Sequence, residues 1–165
     1  MITISSQGVM TWPGQRCRCA LGSGGLCAAD DKREGDGATP QGDYHLRRLL
    51  YRADRVAPPP SALPVRALRD DDGWCDAADD PAYNRPVALP YPASAEALWR
   101  DDHVYDLIGI VSHNDAPPAP GLGSAIFMHL ARPDYSPTRG CIALMEDDLR
   151  ALFGFAGAST IIRIG

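Results

Sequence analysis

At 165 residues and 17.7 kDa the chain, taken as one domain over residues 1–165, has room for a single core and a single site. Sixteen Gly and fifteen Pro make up about 19 % of it, against roughly 12 % in average proteins, beside an ordinary 45 % of hydrophobic residues. That balance excludes a helical bundle and a disordered chain, and a net charge of −5 excludes the electrostatic footprint of a nucleic-acid binder.

No run of about 18 apolar residues is present, so no membrane-spanning helix is expected. The start, Met1 to Gln7, lacks the basic and apolar regions of a signal peptide. Five cysteines, an odd number, leave at least one thiol free in the monomer that is expected.

Alternation sets Cys17, Cys19 and Leu21 on one face and Arg16 and Arg18 on the other, after a Trp12-Pro13-Gly14 turn, which predicts an early hairpin. A polar Gly/Pro loop from Asp30 to Gly42 then leads into a strand over Tyr44 to Tyr51. Pro58 to Pro60 break regular structure, and Leu63 to Leu68 reads as a short strand. The acidic run Asp70 to Asp72, with Asp76, Asp79 and Asp80, reads as a solvated loop around Trp74 and lacks the spacing of a calcium loop. Ser94 as a cap before Ala95 to Trp99 predicts a short helix. Tyr105 to Val111 and Ala125 to Leu130 are the most strand-like segments and are expected centrally. Glu146 to Phe153, acidic at its start and followed by Gly154, reads as a second helix, and Thr160 to Ile164 as a closing strand.

The chemistry concentrates between Ile126 and Leu144, where His129 ends an apolar strand and Cys141 follows Gly140 in a tight loop twelve residues later. A thiolate attacks carbonyl carbon, and an imidazole in reach takes the thiol proton and returns one to the leaving amine. Gly140, lacking a Cβ, lets backbone N–H groups turn toward a developing oxyanion. A cysteine so placed is expected to be more exposed than a core cysteine and to be the strongly reactive thiol. His113, at the end of the Tyr105 to Val111 segment, is a candidate for the same cleft. Cys17, Cys19 and Cys27 lack a fourth ligand for zinc, so no metal or other cofactor is expected.

Thr138-Arg139-Gly140-Cys141, with the His129 strand before it, resembles the active-site segment of the L,D-transpeptidase catalytic domain family (YkuD-like). Lys32 to Tyr44 resembles the Lys-x-Glu-Gly-Asp-Gly-Ala-Thr-Pro-x-Gly-x-Tyr segment by which that family enters its sheet. Gly73-Trp74-Cys75-Asp76 with Tyr83-Asn84 looks like the aromatic loop of small stand-alone members. The resemblance implies a mainly β fold with a few short helices, β-sandwich or barrel-like. It also implies acyl transfer on peptidoglycan stem peptides or muropeptides through a thioester on Cys141, with His129 as base then acid and Gly140 and Cys141 as oxyanion donors. Arg139, which stands where the family usually has a His, would bind a substrate carboxylate, and Thr138, Ser136 and His113 are the other substrate-facing candidates. Hydrolysis through the same thioester, and peptide binding without turnover, are the alternatives. The family works in the periplasm or cell envelope, whereas this sequence shows no export signal. The Gly35 to Gly42 turn is expected to form one wall of the cleft and to feed Tyr44 to Leu50 into the sheet that carries His129.

Overall fold

The computed structural model describes residues 1–165. In chain order its strands are β1 (Ile2–Ile4), β2 (Val9–Trp12), β3 (Gln15–Arg18), β4 (Leu26–Cys27), β5 (Thr39–Pro40), β6 (Gly42–Tyr44), β7 (Leu46–Tyr51) and β8 (Val65–Ala67). There follow β9 (Asp72–Cys75), β10 (Pro86–Ala88), β11 (Ala95–Ala97), β12 (Leu107–Val111), β13 (Phe127–Leu130), β14 (Ile142–Leu144), the single α-helix α1 (Glu146–Phe155) and β15 (Ile162–Ile164). No helix is long and apolar enough to cross a membrane. The protein is mainly β, as its Gly and Pro content predicts.

One five-stranded sheet runs β3-β2-β1-β15-β6 and the other β14-β13-β12-β7-β8, while β10-β9-β11 forms a separate three-stranded sheet. Both large sheets and α1 bury one core: Ile2, Ile4, Ile162 and Ile164 come from the first, Leu49, Leu107, Met128 and Leu144 from the second, and Leu149, Leu152 and Phe153 from the helix. Gly109 in β12 marks where the helix docks, because a Cβ there would lie 2.8 Å from the Phe153 ring. The opposite face of the second sheet carries a smaller cluster in which Leu50, Ile108, Ile110, Phe127 and Cys141 meet Trp74, Leu98 and Tyr105. With both faces covered, β12 and β13 are buried at every residue.

Three local expectations are corrected. Ser94 to Trp99 is not a helix: β11 pairs antiparallel with β9, Glu96 opposite Trp74, and Leu98 enters the smaller cluster. Six residues are too few to offset helix nucleation, whereas β9 offers a ready ladder. The acidic run is solvated only in part: Asp70 and Asp79 are exposed, but Asp72 opens β9 and is buried, with the Arg66 guanidinium donating to its two oxygens at 3.0 and 3.1 Å. The strand over Tyr44 to Tyr51 is two strands, and the chain changes sheets at His45, whose N–H donates to Ser112 Oγ at 2.9 Å. Only β7 joins the sheet that carries His129.

Candidate active site

Strand alternation brings His129 and Cys141 to one face. On β13, Met128 and Leu130 enter the main core, so Phe127 and His129 point to the other side. Parallel pairing sets Met128 beside Ile142 and His129 beside Ala143. Cys141, one residue before β14, therefore falls opposite Phe127, whose N–H donates to Sγ at 3.4 Å. Ideal strand spacing puts the His129 and Cys141 Cα atoms about 8 Å apart, within side-chain reach. Both residues line one open cleft of about 660 Å³.

The imidazole is held in one tautomer. Its Nδ1 lies 2.9 Å from the Leu130 carbonyl, which only accepts, so Nδ1 carries the proton of the neutral ring and Nε2 keeps its lone pair. Tyr105 packs edge-on against the ring at 5.3 Å. Burial lowers the His129 pKa to about 4, against the opposing pull of the Leu130 hydrogen bond, so the ring is neutral at pH 7.

Cys141 is 8 % exposed, only slightly more than Cys19 at 3 % and Cys75 at 0 %, while Cys17 and Cys27 are half-buried. The thiol is nevertheless buried at rest: burial raises its pKa to about 12, with the Glu96 carboxylate adding to the rise, and its S–H donates to the Ala125 carbonyl at 3.2 Å. No hydrogen bond joins it to His129. Burial thus favours the neutral form of both the thiol and the imidazole.

The turn before the sulfur is braced from two sides. The Thr138 hydroxyl donates to the Cys141 carbonyl at 2.6 Å and accepts from the Gly140 N–H at 3.1 Å. Gly140 has φ +120°, and a Cβ there would lie 2.8 Å from the Ala38 carbonyl oxygen. Its N–H, expected to face an oxyanion, is committed to Thr138, whereas the Cys141 N–H has no partner in the protein. Ala125, whose carbonyl receives the thiol, has φ +52° and is held by Asn84, whose Oδ1 accepts from the Ala125 N–H at 3.1 Å.

The L,D-transpeptidase catalytic domain, as a family model, matches residues 2–164. The chain belongs to that family. Neither the curated proteins nor the solved structures include a significant match.

Within this L,D-transpeptidase domain, Thr138, Ser136 and Arg139 line the cleft with Cys141 and His129. His113 does not: it is buried, its Nε2 is 2.8 Å from the Leu122 carbonyl, and its ring packs on Tyr44. Of the expected wall from Gly35 to Gly42 only Gly35 lines the cleft, together with Lys32 and Glu34 just before it, while residues 36–42 do not. Glu96, Asp76, Arg100 and Tyr105 also line the cleft and were not singled out from the sequence. Glu96 was hidden inside the expected helix, and Asp76 inside the expected solvated loop. The one available signal was the alternation of Trp74 with Asp76 beside Tyr83-Asn84. Of the lining cations, Lys32 pairs with Asp36, and Arg100 and Arg132 both pair with Asp102. Arg139 is exposed and has no ion pair.

Proposed function

We propose that this domain is a cysteine acyltransferase acting on peptidoglycan stem peptides. The observation that carries the reading is the shared cleft of Cys141 and His129, with Nδ1 of the imidazole pinned so that Nε2 is the free base. In this reading Cys141 Sγ attacks the amide before a terminal D-Ala while Nε2 takes the thiol proton. The proton then passes to the leaving amine, D-Ala departs, and the acyl chain remains as a thioester. The unpartnered Cys141 N–H is placed to donate to the oxyanion of each tetrahedral intermediate, where one such donor is worth about 3 kcal/mol. Arg139, the cleft cation without a counter-ion, receives a stem-peptide carboxylate through its planar fork. An amine of a second stem peptide resolves the thioester.

Incubation with tetrapeptide muropeptides, read by mass spectrometry of enzyme and products, tests this. The expected result is release of D-Ala, a mass increase on Cys141 and cross-linked dimers, all lost in Cys141→Ala. Peptide shortening without dimers would assign the hydrolase alternative. No covalent adduct and no product would overturn the acyl-transfer reading.

A further inference from the structure

The cleft is electrostatically two-sided. Its cations, Arg139 apart, are tied to carboxylates, whereas the wall supplied by the three-stranded sheet presents Glu96 from β11 and Asp76 from the end of β9, and neither is in an ion pair. Glu96 makes a single hydrogen bond: its Oε1 accepts from the Tyr105 hydroxyl at 2.6 Å. Its Oε2 has no partner and remains accessible. A carboxylate half withdrawn from water without a counter-ion is costly, and the cost is removed when a cation arrives.

This carboxylate also stands close to the chemistry. It lines the same cleft as Cys141 and His129, its charge helps to raise the Cys141 thiol, and Tyr105, which holds it, packs against the His129 ring. The charged and titratable groups that act on Glu96 are Tyr105, which donates to it, and Arg100, Asp76 and Arg139, which line the same cleft. Arg100 is turned away to Asp102, donating from Nε at 2.8 Å and Nη2 at 2.7 Å. A carboxylate in that position hinders formation of a thiolate, so aiding the first attack does not explain it. The second half of the reaction does, because the acceptor arrives as an ammonium and must lose a proton before its nitrogen is a nucleophile.

We propose that Glu96 is the acceptor-amine residue of this cleft: it binds the incoming primary ammonium beside the thioester and takes its first proton. The inference rests on the acyl-transfer reading above. The ammonium docks on the carboxylate, one N–H proton passes to Oε2, and the neutral amine attacks the thioester carbonyl. The C–N bond forms and the C–S bond breaks. The second amine proton goes through His129 Nε2 to the departing sulfur, restoring the thiol and the neutral imidazole, and the Glu96 proton is lost to solvent. Burial holds the Glu96 pKa above its ordinary value, which narrows the gap to the ammonium it must deprotonate.

The test compares wild type, Glu96→Gln and Glu96→Asp, each given a tetrapeptide muropeptide donor with and without a muropeptide carrying a free primary amine. Thioester formation is followed by intact mass, and the ratio of amide-linked to hydrolysed product is measured. In Glu96→Gln the thioester is expected to form at least as fast as in wild type, because a negative charge beside the sulfur is gone, while the ratio falls about 100-fold, the scale of one general base. Glu96→Asp should recover part of that loss. An unchanged ratio, or thioester formation falling together with aminolysis as a merely structural role would produce, overturns the proposal. A wild-type thioester resolved only by water also overturns it while leaving thioester chemistry standing. Absence of any thioester in wild type overturns the acyl-transfer reading and this inference with it.

Discussion

The Thr39 hydroxyl donates to the Gly140 carbonyl at 2.9 Å and accepts from the Gly22 N–H at 2.9 Å, joining three stretches of chain at the turn that carries Cys141. Thr39 is fully buried, so both backbone groups depend on this one oxygen. Thr39→Val keeps the β-branched shape and leaves an N–H and a C=O unpaired, at a cost of about 2 to 3 kcal/mol. Urea denaturation should show that loss, and peptide turnover should drop with it because the Gly140 turn is released. A Thr39→Val variant with wild-type stability and activity would contradict this account.

That contact shows how far the sequence could be read. The two motifs around Thr39 and Cys141 were visible as segments, and alternation across Phe127 to Leu130 was enough to place His129 on a strand face. What local pattern could not supply was the pairing partner. Glu96 has helix-forming neighbours and becomes a strand residue because β9 lies beside it, and Asp72 looks solvated until Arg66 is brought over from β8. The burial of Cys141 was equally out of sight, since it depends on Trp74, Leu98 and Tyr105 covering the second face of the sheet.

Asn84 is the second brace of the site. Its Oδ1 accepts from Trp74 Nε1 at 2.9 Å and from the Ala125 N–H, while its Nδ2 donates to the carbonyls of His113 at 3.0 Å and Asn114 at 2.7 Å. Asn84→Asp preserves the shape and the acceptor but turns a second oxygen toward two carbonyls. The expected loss is about 3 kcal/mol, from two missing hydrogen bonds and a buried charge. Thermal and chemical denaturation measure it, and a drop of less than about 1 kcal/mol would mean that the carbonyls find other donors.

With the substrate absent, a limiting amount of iodoacetamide at pH 7.5 should label Cys27 and Cys17 before Cys141. The first two are half-buried, with the Cys17 thiol raised by burial to about 11, whereas Cys141 is 8 % exposed and its thiol is pushed up to about 12. An acyl donor that fits the cleft should reverse the order, because in the proposed reaction His129 takes the proton during attack. Peptide mapping by mass spectrometry decides. Preferential alkylation of Cys141 by the small reagent would show a preformed thiolate, contrary to the neutral pair described above.

His129 makes stability depend on pH in a definite direction. Folding lowers its pKa to about 4 through burial, while an unfolded histidine titrates near 6.5. Between those values the unfolded chain holds a proton that the folded one does not, so stability rises with pH across this window. The contribution is complete above about pH 6.5 and is lost progressively as pH falls toward 4, a total of about 3 kcal/mol. His113, whose pKa burial also lowers, titrates in the same direction, and the carboxylates change stability over part of the range as well. Both backgrounds are shared by wild type and His129→Gln, in which position 129 stays neutral at every pH. The difference in unfolding free energy, wild type minus variant, should therefore fall by about 3 kcal/mol between pH 7 and pH 4. A difference that stays constant over that range would mean that the imidazole is solvated or already paired with an acid in the folded protein, and the neutral, Nδ1-protonated ring would have to be abandoned.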